Sequence, residues 1–335
     1  MERPTGPFFL NVLVSVPPFA CPLCKGPLGQ DLAAYSCDPC GRSYPILCGI
    51  PDFRILPDRY ISLEDDRRKG TVLFEQAAHR SFAEMLDYYY SITPEVPPEL
   101  SRKFRAHALQ EVEIGASILA EKDAVFPRGP FLDLGCSTGG MVVAAARKFP
   151  AVMGADVAFR WLVVGVARLR EAGVSAPLVC ANAEHLPFAD DSFSTLTAID
   201  LLEHLTDPVP AMGECRRVAA SGGACYFSTN NRYSLLPEPH AGVWGVGWLP
   251  RALQASYVEL VAGRNYRNIV LLSARELARA ARAAGFEGCR PAPAPLHAPG
   301  RFERALSAYD LLLSQPGLST LLRWIGPRLE LLCRK

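Results

Sequence analysis

No stretch of this chain stays apolar for the roughly 18 residues that a membrane-spanning helix needs. The apolar stretch Phe8 to Val16 is short, is broken by Asn11 and follows a start with no net positive charge, so it makes a poor signal peptide. Charge of one sign is missing too. Lys and Arg number 35 against 34 Asp and Glu, a net +1 that gives no global field for nucleic acid or an anionic membrane. Without a leader or spanning segment, we expect a cytoplasmic protein. The 335 residues, 49% hydrophobic and 21% charged, suffice for one large globular domain with attachments.

Cysteine is not scarce. Eleven of them in a chain of this kind argue for thiols and a metal site rather than disulfides. Cys21-Pro22-Leu23-Cys24 and Cys37-Asp38-Pro39-Cys40 are two CxxC knuckles separated by twelve residues, enough for a short β-hairpin. Each knuckle presents two thiolates from one tight turn, and together they make a closed tetrahedral site for structural Zn²⁺. In so small a unit the metal would supply most of the folding energy, on the order of 10 kcal/mol. Cys48 is a spare thiol better explained by packing. Residues 1–60 carry five basic and five acidic side chains, which is no RNA footprint.

The most informative stretch is Phe131-Leu132-Asp133-Leu134-Gly135-Cys136-Ser137-Thr138-Gly139-Gly140. A short apolar run bearing one acid breaks into a glycine-rich turn and opens into a helical stretch, Met141 to Lys148. A second strand-like run, Ala151 to Ala155, then ends in Asp156. Strand, tight turn, helix and a later acid describe the nucleotide-binding half of a doubly wound α/β fold. Small residues at 135, 137 and 139 admit a ligand close to the backbone. Asp156 can accept two ribose hydroxyls, each worth about 1.5–3 kcal/mol. The spacing is not the GxGxxG of a dinucleotide site, and Asp133 would repel a pyrophosphate while suiting a cationic amino-acid moiety.

These residues resemble the first motif of the Rossmann-like S-adenosylmethionine-dependent methyltransferases of the type 11, UbiE-like class, which usually has glycine where this chain has Ser137. Cys180 to Phe188 resembles that family's adenine-contacting segment, with Asn182 where aspartate is commoner; its amide can still donate and accept. Thr195 to Ile199, then Asp200-Leu201-Leu202-Glu203-His204-Leu205, resembles the fourth motif, and Gly222 to Asn230 the glycine turn and fifth strand. The resemblance covers about residues 126–232. It implies a seven-stranded sheet and a cofactor site of Asp133, Gly135, Cys136, Ser137, Gly139, Asp156, Val157, Asn182, Ala183, Glu184, Asp200 and Leu201. Tyr44 to Phe53 resembles the end of zinc ribbons of the Trm112 type.

We therefore expect a tail (1–18), a zinc ribbon (19–57), a helical linker or cap (58–125) and a methyltransferase domain (126–335) with a cap insertion (231–272). Within the linker, Glu64 to Lys69 reads as a solvated helix start. Val72 to Tyr90 and Arg102 to Lys122 read as helices. Tyr88, Tyr89 and Tyr90 fit core packing better than an acceptor pocket. Ser273 to Ala284 is a capped amphipathic helix. Asp310 to Trp324 is helical and apolar on one side, and Leu329 to Cys333 reads as a closing edge strand. A lid or core role for 302–326 outweighs a membrane-surface one.

Methyl transfer needs an acceptor held in line with a sulfonium, and an oxygen acceptor usually needs a base. His240 ranks first for that role, followed by His204 and Glu238. The expected function is methyl transfer to a small-molecule, lipid or glycan acceptor. The alternatives are an RNA methyltransferase that uses its ribbon for recognition, and a non-catalytic methyltransferase-like scaffold. A nicotinamide or flavin oxidoreductase is a distant rival.

Overall fold

A computed structural model describes residues 17–297 and 309–335. Phe8 to Val16 and residues 298–308 lie outside the described residues. Four short strands, β1 (Gly29–Gln30), β2 (Ala34–Cys37), β3 (Arg42–Leu47) and β4 (Ile50–Pro51), pair antiparallel in order. Three helices follow: α1 (Leu63–Ala77), α2 (Phe82–Ser91) and α3 (Pro98–Glu121). The main body alternates β5 (Pro130–Leu134), α4 (Gly140–Ala145), β6 (Ala151–Asp156), α5 (Phe159–Glu171), β7 (Leu178–Cys180), β8 (Phe193–Ile199), α6 (Pro208–Val218) and β9 (Ala219–Asn230). The chain continues through α7 (Arg251–Ala262), α8 (Ala274–Ala283), β10 (Ala292–Pro293), α9 (Pro316–Ile325) and β11 (Arg328–Arg334).

The large sheet has seven strands in the order β10-β11-β9-β8-β5-β6-β7. Strands β5 to β9 run parallel and β11 returns antiparallel against β9. Buried parallel strands explain the apolar runs at 131–134, interrupted only by Asp133, and at 152–155. The chain order jumps from β7 back to β8 across β5, so the sheet reverses between β5 and β8, and ligands of such sheets bind at that carboxyl edge.

Three expectations need correcting. Strand β11 is not the edge, because β10 pairs outside it through Ala292 and Glu330. The helix read from Val72 to Tyr90 is two helices, because Ser81 and Glu84 form a reciprocal capping box that starts α2 afresh. The charged run at 64–69 is not wholly solvated: Asp66 is fully buried within α1. It pairs with Arg54 at 2.6 Å and Arg160 at 2.8 Å, and accepts from the Phe159 amide at the start of α5. Helix periodicity cannot show such a partner, because Arg160 is 94 residues away. Tyr89 packs in the core, its ring 4.1 Å from that of Trp161.

The small sheet is built onto the large one. Asp52 bridges Cys180 in parallel, and the Phe53 amide donates to the Cys180 carbonyl at 2.8 Å, covering the β7 edge. Phe19 pairs with Phe188, and Phe19, Tyr35 and Phe53 stack into one aromatic cluster with it. Lys25 closes the seam with a 2.6 Å ion pair to Glu214. Covering an open strand edge removes a template for aggregation.

Candidate active site and metal centre

The glycine turn leaves β5 with Gly135 at φ 76° and Gly139 at φ 79°, the left-handed region where a side chain is strained. A Cβ on Gly135 would also lie 3.2 Å from Leu201, so the turn stays open toward the end of β8. Ser137 adopts φ 48° without being glycine, so it carries the strain that glycine would avoid. Its amide donates to Asp156 at 2.8 Å, and the Ala158 amide donates to the other oxygen at 2.7 Å. Burial pushes Asp156 up to about 6 in spite of these donors. Asp133 is buried on β5, accepts from Thr197 at 2.7 Å and is pushed up to about 8 by burial. A buried carboxyl with one neutral partner is suited to a cationic ligand, which would restore its charge.

Cys136 lies buried inside the turn, so its backbone and not its sulfur faces the site. Val157, Ala183, Glu184 and Leu201 follow β6, β7 and β8 around the same edge. Two residues expected at the cofactor are spent elsewhere. Asn182 accepts from the amides of Ile55 (2.9 Å) and Leu56 (3.1 Å) and donates to the Leu56 carbonyl. Asp200 forms a two-pronged ion pair with Arg328 of β11, at 2.7 and 2.9 Å.

Residues 54–60 make a strap across this edge. Arg54 donates to the Val157 carbonyl at 2.9 Å, Asp58 pairs with Arg160 at 2.8 Å, and Tyr60 hydrogen-bonds His204 Nδ1 at 3.0 Å. Arg59 donates to the His204 carbonyl and accepts from Asn268, which joins strap and cap. The strap thus touches the residues after β6, β7 and β8 in turn. No motif marked Tyr60, Asp58 or Arg328 in the sequence.

The cap brings the three base candidates together. His240 Nδ1 lies 2.5 Å from Glu238 Oε1, while Glu238 Oε2 accepts from the Ala241 amide. The rings of His240 and His204 meet edge to face at 5.1 Å. Burial lowers the pKa of both histidines, but the Glu238 carboxylate more than offsets it at His240, which ends raised, while His204 ends lowered. Beside them a small cleft is lined by Asn230, Ser234, Leu236, Glu238 and Gly245.

Cys21, Cys24, Cys37 and Cys40 place their sulfurs within 4.8 Å of one another. The Cys24–Cys37 and Cys21–Cys40 separations are 3.5 and 3.9 Å. Four thiolates about 2.3 Å from a tetrahedral Zn²⁺ would stand roughly 3.8 Å apart, so the set fits that ion, and all four remain free thiols. Cys48 stays apart, its thiol pushed up to about 11 by burial.

Residues 132–227 match a family model described as a methyltransferase domain. Relatives include the ubiquinone biosynthesis O-methyltransferases of Hahella chejuensis and Paracidovorax citrulli. The first is 34% identical over 33% of this chain and 48% of its own length; the second is 35% identical over 39% and 56%. The chain thus spans about half the length of these curated relatives. Similar solved structures include phosphoethanolamine N-methyltransferase 2 of Haemonchus contortus with S-adenosyl-L-methionine (18% identical, 67% of this chain, 52% of that one, TM-score 0.46). Another is a complex of the Haloferax volcanii Trm112 methyltransferase activator with a methyltransferase (16% identical, 69% and 93% covered, TM-score 0.44).

Proposed function

We propose that this chain is an S-adenosylmethionine-dependent methyltransferase acting on an oxygen of a small-molecule or lipid acceptor bound in the cap cleft. The observation that carries the reading is the joining of Asp133, the open turn at 135–139 and Asp156 at the sheet's switch point. The relatives' name, an O-methyltransferase of ubiquinone biosynthesis, supports an oxygen acceptor. The cofactor would supply an activated methyl group on a sulfonium. Asp133 would face its cationic amino-acid part, Asp156 its ribose, and Gly135 and Gly139 would admit it against the backbone.

Holding the acceptor in line in a water-poor cleft supplies most of the acceleration, about 7–11 kcal/mol. Glu238 fixes the His240 tautomer by accepting from Nδ1, which leaves Nε2 to take the acceptor's proton. His204, held by Tyr60, positions the second ring. The four knuckle cysteines would hold a structural Zn²⁺, with no open position for catalysis. The ribbon spends its aromatic face on the main body, which weighs against its use for RNA recognition.

The test is transfer of labelled methyl from S-adenosylmethionine into separated small-molecule, lipid, glycan and RNA pools, alongside calorimetric cofactor binding. Label in the lipid or small-molecule pool is expected. Label confined to RNA overturns the acceptor reading, and absence of cofactor binding overturns the enzyme reading altogether.

A further inference from the structure

The chain's near-zero net charge hides a division. Residues 231–335 carry 14 Lys and Arg against 7 Asp and Glu, whereas residues 1–230 carry 21 against 27. The basic third also exposes its large apolar side chains. Trp244 is 60% and Trp248 49% exposed, each donating its indole N–H to a backbone carbonyl, of Leu235 and Ser234. Those bonds hold the rings outward, away from any core. Leu235 and Leu236 are exposed beside them, and the Leu235 amide donates to the Ile325 carbonyl at the end of α9. Helix α9 carries Leu318, Leu321, Leu322, Trp324 and Ile325, yet none of its residues is buried.

Leu322, Trp324 and Ile325 are half-buried, Trp324 against the main core, while Leu318 and Leu321 stand exposed beside the Leu235–Trp248 loop. Arginines frame it: Arg275 and Arg323 lie over the Trp324 ring, at 5.2 and 5.1 Å. Leu236, at the patch, also lines the cleft that holds Glu238.

We propose that this face, α9 with the Leu235–Trp248 loop, docks on an anionic lipid bilayer and opens the acceptor cleft toward it. Indoles and leucines outward with arginines around them are the composition of an interfacial surface, and the charge surplus complements anionic headgroups. A second copy fits worse, because it would set one surplus of seven positive charges against another. This surface does not require the methyl-transfer reading, and vesicle binding is measured without cofactor or acceptor.

The experiment is cosedimentation of the full chain with vesicles of phosphatidylcholine alone or mixed equally with phosphatidylglycerol, with tryptophan emission read in parallel. Expected are binding at least tenfold tighter to the mixed vesicles, weakening with salt, and an emission shift to shorter wavelength. Leu318→Asp with Leu321→Asp, both solvent-exposed, should weaken that binding at least tenfold while the unfolding temperature holds. Trp244→Gln tests the loop half independently. No binding to mixed vesicles, equal binding by all three proteins, or a doubled mass in solution that the leucine variant abolishes would overturn the proposal.

Discussion

The two ends of the chain solve opposite problems. The ribbon and strap bury charge: Arg54, Asp52, Asp66 and Arg160 form a network without solvent, and the ribbon's aromatics merge with the main core. The C-terminal cap exposes apolar surface, with a small cluster of its own around Val246, Val258 and Tyr266. One end is fastened inward by long-range polar bonds; the other is finished by whatever meets it outside. The cofactor edge lies between, touched by the strap on one side and by the cap's Glu238–His240 pair on the other.

The largest break in this contrast is expected from the metal. Chelation, or Cys37→Ser, removes a term on the order of 10 kcal/mol and uncovers Phe188 and the β7 edge. Metal analysis should find one zinc per chain. Stripped protein should lose several kcal/mol in a urea titration and bind S-adenosylmethionine more weakly, because the strap loses its anchor at β4. A stripped protein with unchanged stability would show that the ribbon is an appendage.

Asp66→Asn leaves Arg54 and Arg160 short of their shared counter-charge. Breaking a buried pair in this way costs about 3–5 kcal/mol, read from the urea midpoint with the slope checked for constancy. A similar change at the exposed Asp65–Arg68 pair should cost under about 1 kcal/mol.

On the cap side, His240→Gln and Glu238→Gln should each lower kcat by about 10²–10⁴, with little change in unfolding temperature. The sign of the pH effect follows from the raised His240 pKa. The neutral ring is the base, so activity rises with pH through a value above the usual 6.5, and Glu238→Gln should move that limb to lower pH. The same pair contributes stability below about 6.5 that is lost as pH rises through the folded value. His204, with its pKa lowered, stays neutral over that window.

Asn182→Ala sharpens the strap. It leaves two amides and a carbonyl of Ile55 and Leu56 without partners, at about 1–3 kcal/mol each where water cannot replace them. The KM for S-adenosylmethionine should rise more than kcat falls. Equal losses in both would place Asn182 with the reacting groups.

What could be read from the sequence was local. Each knuckle lies within four residues, and the strand, turn and helix around Gly135 run only from Pro130 to Ala145, so composition and spacing identified both. The strap was not legible, because Asn182 meets Ile55 across 127 residues and Asp200 meets Arg328 across 128. Neither pair has a periodicity to betray it. An even charge total likewise concealed that a basic surplus gathers in residues 231–335. Cap residues 238 and 240 were singled out because prolines flank them, which marks a loop without regular structure.

The smallest expected effect lies at Ser137, one of the two places where motif and chain disagree. Ser137 sits at φ 48° while its amide holds Asp156, so the left-handed strain is retained where the cofactor's ribose would bind. A side chain there costs about 1–2 kcal/mol, part of which glycine returns as greater freedom in the unfolded chain. Ser137→Gly should therefore stabilise the protein by up to about 1 kcal/mol. It should leave Asp156 in place and cofactor affinity within a factor of a few. If the variant instead weakens cofactor binding tenfold or more, the serine hydroxyl contacts the ligand, and the departure from glycine is functional rather than tolerated.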